Sequence, residues 1–81
     1  MKTFHLTIAR IGEKLFDGEA ASAQFPGTEG MFTVLPNHEA LVSELKIGEV
    51  HLVAGDGQKF HYEAPKGGVV EISNNQATVL I

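Results

Sequence analysis

The chain has 81 residues, a formal charge of -4 from 6 basic against 10 acidic side chains, and no cysteine. That length fits a single domain over residues 1–81 and leaves no room for a second. The missing thiols exclude disulfides, thiolate metal sites and cysteine nucleophiles, and the acidic balance, with no basic block, argues against nucleic acid as a partner.

Beyond Met1-Lys2, apolar positions alternate with polar ones, which predicts neither a signal peptide nor a membrane-inserted helix. A domain of this size buries only about 60% of the surface its unfolded chain exposes, so a permanent partner would supply burial that the core lacks.

Phe4, Leu6 and Ile8 alternate with His5, Thr7 and Ala9, the period of a strand with one buried face. A turn follows over Arg10 to Lys14, aided by Gly12. Leu15-Phe16 reads as a short strand closed by Asp17-Gly18. Ala21, Ala23 and Phe25 resume the alternation until Pro26-Gly27. Small alanines facing inward would let two sheets approach closely.

Gly30 to Leu35 is a further strand, ended by Pro36, which lacks an N–H and restricts Leu35. Glu39 to Leu45 reads either as a short strand or as a single helical turn, because Glu, Ala and Leu favour helix but the run is short.

The segment from Glu49 to Ala64 is a hairpin. A three-residue loop at Gly55-Asp56-Gly57, with Gly57 left-handed, sets Leu52 opposite Phe60 and Val50 opposite Tyr62, which keeps one apolar face. A two-residue turn at Asn74-Asn75 sets Val70 opposite Val79 and Ile72 opposite Ala77 in the last hairpin. The expectation is an all-β fold, an antiparallel β-sandwich or flattened barrel of about eight to ten short strands.

No nucleophile elbow, Walker A sequence or dinucleotide fingerprint is present, and "GTEG" and "GDGQK" are turn chemistry. His5 falls on the outward side of its strand. His38, beside Glu39, has the composition of a base with an orienting acid, but no nucleophile lies near it in sequence; recognition through an exposed loop is the better reading. The hairpin register sets His51 across from His61 and Glu49 across from Glu63. That face is the candidate for an alternative function, a metal- or small-ligand-binding module.

In order along the chain, "FHLTI", "KLFDG", "GTEGMFTVLPNHEAL", "LKIGEVHL" and "GGVVEISNNQATVLI" resemble the epsilon subunit of bacterial F-type ATP synthases. The match includes the Glu29-Gly30 turn, the Pro36-Asn37-His38-Glu39-Ala40-Leu41 loop, Lys46-Ile47-Gly48 and the Gly67-Gly68 pair. The resemblance implies a β-sandwich in the central stalk, without catalytic residues or cofactor, that links the gamma subunit to the membrane's c ring and helps couple ion flow to ATP synthesis.

It implies peripheral placement on the cytoplasmic face of the bacterial inner membrane. Glu29, Gly30 and Met31 match the part that meets the c ring, and Arg10, His38 and Ser43 match positions turned toward gamma. The family's C-terminal helical hairpin would follow the strand on which Ile81 lies, so an inhibitory hairpin is not expected within this sequence.

Overall fold

A computed structural model of the protein describes residues 2–81. Eight strands follow one another: β1 (Phe4–Arg10), β2 (Glu13–Gly27), β3 (Gly30–Val34), β4 (Leu41–Leu45), β5 (Gly48–Ala54), β6 (Lys59–Ala64), β7 (Gly68–Ser73) and β8 (Gln76–Leu80). One layer contains the first half of β2 with β1, β8, β7 and β4; the other contains β3, the second half of β2, β5 and β6.

β2 also meets β4 at Gly27–Leu45, so the path β1-β8-β7-β4-β2 returns to β1 and the sandwich closes as a flattened barrel. The all-β sandwich expected from the sequence is the observed fold, with one feature the alternation could not announce: β1 and β8 run parallel.

The 15-residue β2 is the element that joins the layers. Asp17-Gly18 does not end a strand there. Both residues stay in the ladder, opposite Thr7 and Leu6. A bulge then intervenes, because Ala20 pairs with Ala54 but Ser22 pairs with Val53. The extra residue, Ala21, shifts the inward parity from even positions to odd ones. Ala20 is buried before the bulge, and Ala23 and Phe25 after it. Ala21 itself is half-buried at the bulge and is not the regular inward position that alternation predicts.

The core lies between the layers. Phe4, Leu6 and Ile8 of β1 and Val70, Ile72, Ala77 and Val79 of β7 and β8 meet Phe25, Val34, Val50 and Leu52. Phe16 and Phe60 pack across one side with ring centroids 5.5 Å apart, as do Phe25 and Phe32 at the β2–β3 pair, a separation typical of favourable tilted aromatic pairs. Both hairpin registers agree with expectation. Leu52 faces Phe60, Val50 faces Tyr62, Val70 faces Val79 and Ile72 faces Ala77. Asn74 and Asn75 adopt φ of 53° and 59°, as a two-residue turn that follows the sheet twist requires. The ambiguous stretch resolves as strand β4 because Leu41, Ser43 and Leu45 pair with Ile72, Val70 and Gly68. Packing outweighs the helical preference of a run too short to hold a helix.

The loop between β6 and β7 explains the Gly67-Gly68 pair. Gly67 has φ of 74°, and a Cβ there would strike the Leu45 carbonyl oxygen; one on Gly68 would strike the carbonyl of Leu80. Replacing Gly67 with Ala is expected to cost roughly 2–4 kcal/mol through backbone collision added to left-handed strain. Gly12 has a similar φ of 78° but nothing within 4 Å of its missing Cβ, so Gly12→Ala should cost only about 1 kcal/mol. Urea denaturation of both variants checks the contrast, and equal losses would contradict it.

Candidate functional site

The strand directions divide the turns between two ends. One end collects the β1–β2 turn at Ile11-Gly12, the β2–β3 turn at Thr28-Glu29, the β4–β5 turn at Lys46-Ile47, the β6–β7 loop and Ile81. The other collects the β3–β4 loop, the β5–β6 turn at Gly55 to Gly57 and the Asn74-Asn75 turn.

The two ends differ in chemistry. Ile11 is 93% exposed, Ile47 72% and Met31 57%, all at the first end. The second end carries Asn37, His38, Asp56 and the Asn pair at its tips, with Leu35, 55% exposed, as a single large apolar side chain on its β3–β4 loop against three on the turns of the first end. Isolated exposed apolar residues need no explanation, whereas several on neighbouring turns of one end indicate a surface built for contact.

A cleft of about 400 Å³ opens at the apolar end between Arg10, Ile11, the Pro65 to Val69 segment, Leu80 and Ile81. Arg10 continues the inward side of β1 and donates from Nη2 to the carbonyl of Glu63 at 3.1 Å, joining β1 to the end of β6. Its Nε is buried without a partner.

Glu29, Gly30 and Met31 are all exposed at this same end, where Gly27 pairs with Gly30. Gly30 has φ of 126°, which a side chain would resist. These three residues are together. Arg10, His38 and Ser43 are not: Arg10 closes β1 at the apolar end, His38 sits on the loop at the opposite end, and Ser43 lies between them on β4. Ser43 is half-buried and its hydroxyl donates to the Glu44 carbonyl at 3.1 Å.

The loop that carries His38 is a tight turn in which the His38 N–H donates to the Leu35 carbonyl. Pro36 and Asn37, with φ of 65° at Asn37, occupy its centre in the pattern of a type II turn. His38 Nδ1 lies 2.8 Å from the carbonyl of Glu39, so it is the donating nitrogen and Nε2 is left for another group. The orienting contact is therefore with the Glu39 backbone, not with its carboxylate, and the acid-and-base reading of this pair loses its geometry.

On the outer face of β5 and β6, His51 and His61 are cross-strand partners stacked at 5.8 Å, and Glu49 reaches both, 3.4 Å to each ring. Glu63 pairs with Glu49 in the ladder, and its hydrogen bond to Arg10 is made by its main chain. Among the described residues no group of three or more His, Cys, Asp or Glu side chains is arranged to hold a metal ion. The hollow beside His51, lined by Ser22, Gln24, Thr33 and Lys59 among others, measures about 270 Å³, below the usual size of small-ligand sites. The metal- and ligand-binding reading of this face is not supported.

A charged cluster that alternation alone did not reveal surrounds His5. Its Nε2 lies 2.6 Å from Asp17 and its Nδ1 3.1 Å from Glu19; Thr3 donates to Glu19 at 2.8 Å, and Lys14 to Asp17 at 3.2 Å. Two carboxylates facing both ring nitrogens favour the imidazolium, which donates from each. Hydrogen bonds donated to Glu19 and then Asp17 raise the His5 pKa. Asp17 is lowered by His5 and Lys14, and Glu19 by Thr3 and His5. The β1–β2 ladder, which sets His5 opposite Glu19, was the signal that could have found it.

This geometry defines a class: a small closed β-sandwich with an apolar turn end and an ordered polar loop at the opposite end. The chain belongs to the family described as ATP synthase, Delta/Epsilon chain, beta-sandwich domain, which matches residues 3–81. Among its relatives are proteins named ATP synthase epsilon chain from a Nitratiruptor species and from Campylobacter fetus subsp. fetus. Each is 41% identical over 81 residues, covering 100% of this chain and 62% of the relative. The chain thus spans about three fifths of the length of these relatives.

The fold recurs in a chain of the Euglena gracilis mitochondrial ATP synthase (OSCP/F1/c-ring, rotational state 1), with a TM-score of 0.89 and 24% identity over 99% of this chain and 51% of that one. It recurs again in the Tetrahymena thermophila mitochondrial ATP synthase central stalk/c-ring, with a TM-score of 0.70 and 16% identity over 94% of this chain and 60% of that one.

The His5 cluster makes a pH prediction whose sign is fixed. A raised folded-state histidine pKa contributes stability that is fully present below the unfolded value of about 6.5 and is lost as pH rises through the folded value. The lowered Asp17 and Glu19 values contribute above the ordinary carboxylate range, and that part is lost as pH falls through their folded values. Thermal melts of wild type and His5→Gln across pH 4 to 9 should therefore differ most in mildly acidic solution and converge at the alkaline end. Parallel curves throughout would contradict the assignment.

Proposed function

We propose that this chain is a non-catalytic rotor subunit of an F-type ATP synthase, holding the gamma subunit to the c ring so that rotation driven by ions reaches the distant nucleotide sites. What carries the reading is the conjunction of epsilon-chain family membership with an apolar turn end on a closed sandwich. Torque transfer needs a body that resists shear. A barrel whose strands are tied by non-local ladders, with β2 shared between both layers, meets that need better than a loop-rich module.

In this reading Glu29, Gly30 and Met31 meet the c ring, and the neighbouring Ile11 and Ile47 add apolar anchors at the same end. The acidic turn contributes orientation and association rate more than affinity. Arg10, His38 and Ser43 face gamma at three stations along the body, which suits contact with an elongated partner rather than a single pocket. The domain spans 1–81 and uses no cofactor.

Among the described residues no helix is long and apolar enough to cross a membrane. Placement at the cytoplasmic face of the bacterial inner membrane follows from partners, with no insertion of its own.

The reading is tested by assembling the synthase in vesicles with and without this chain and recording ATP-driven ion pumping beside ATP hydrolysis. Pumping should fall relative to hydrolysis when the chain is omitted; unchanged pumping would contradict the proposal. Replacing Ile11 and Ile47 together by Ser should weaken retention on isolated c ring about tenfold or more, since truncation of an interface anchor costs over 1 kcal/mol. Both side chains point into solvent in the free protein, so the fold should be unaffected.

A further inference from the structure

We infer that Asn75 is the residue that fixes the Pro36 to Ala40 loop, and so positions His38 for docking; the docking half rests on the rotor reading above. The loop lies at the polar end and its turn leaves one group unsatisfied. With Pro36 and a left-handed Asn37 at its centre, the Leu35 to His38 turn satisfies the His38 N–H internally. The Asn37 N–H has no partner within the turn. It donates to Oδ1 of Asn75 at 2.7 Å, across 38 positions of sequence.

The same carboxamide donates from Nδ2 to the Thr3 carbonyl at 2.9 Å, across 72 positions, in a part-buried setting. The Asn75 main-chain carbonyl accepts from the His5 N–H at 3.2 Å. One residue therefore ties together the β7–β8 turn, the chain's start and the β3–β4 loop. Its amide orientation is settled by chemistry: one partner is a backbone donor and the other a backbone acceptor, so only this arrangement satisfies both.

Turn geometry alone does not demand this side chain. Asn75 has φ of 59°, which glycine adopts more readily. Glycine would keep the hairpin and remove the staple; Asp would keep an acceptor for Asn37 and lose the donor to Thr3. The two substitutions separate the loop contact from the contact with the chain's start, and both leave the turn intact.

The experiment measures amide hydrogen exchange by NMR on wild type, Asn75→Gly and Asn75→Asp, together with the affinity of each for the recombinant gamma subunit of the same synthase. In Asn75→Gly the Asn37 amide should exchange about tenfold faster, the equivalent of one lost hydrogen bond, with strand amides of β7 and β8 unchanged and gamma affinity reduced severalfold. Asn75→Asp should stay close to wild type in both readings.

Unchanged exchange at Asn37 in the Gly variant overturns the inference. Faster exchange with unaltered gamma affinity overturns the docking half. A wild-type chain that fails to bind gamma overturns the rotor reading instead, and the exchange data still decide what Asn75 holds.

Discussion

The fold depends on a single bulged strand. β2 must pair with β1 in one layer and with β3 and β5 in the other, and a regular strand of its length would turn one parity of side chains inward throughout. The extra residue at Ala21 changes that parity at the crossing, so Ala20 and then Ala23 and Phe25 all reach the core. Ala20, beside the bulge, is fully buried, so a larger side chain there would overpack the core where the layers are joined. From this one strand follow the closed path of ladders and the sorting of turns into two ends.

That sorting turns a structural body into one with direction. At one end, Ile11, Met31 and Ile47 stand at turn tips where polar residues would cost nothing. At the other, Asn75, Asn37 and Thr3 are bonded into a polar network that holds the His38 loop. An apolar end gains from being covered, while a polar end ordered by its own hydrogen bonds does not require it. The asymmetry favours one orientation toward a large partner, and family membership supplies the identity of that partner in the proposed role.

Much of this was legible in the sequence, and the reasons differ by element. The two hairpins announced their registers because each register was constrained by both turn chemistry and a shared apolar face. The Glu29-Gly30-Met31 turn and the Pro36 to Leu41 loop were visible as family motifs. The continuous course of β2 was hidden, since Asp17-Gly18 has the composition of a turn, and only pairing with Thr7 and Leu6 keeps it extended. The parallel β1–β8 pair joins the two ends of the chain, and nothing local encodes it. The His5 cluster and the Asn75 staple were hidden for the same reason: each unites residues that alternation describes one strand at a time. The cross-strand His51–His61 pair was read correctly in position, but proximity of two imidazoles with one shared carboxylate did not amount to a metal centre.

Because the chain has no cysteine, single cysteines can report on orientation without interference. The most direct test of the central claim compares Ile47→Cys, at the apolar end, with Asp56→Cys, at the polar end, each carrying a short photoreactive cross-linker in the assembled synthase. Ile47→Cys should cross-link to the c ring and Asp56→Cys should not; ring adducts from Asp56→Cys and none from Ile47→Cys would contradict the account.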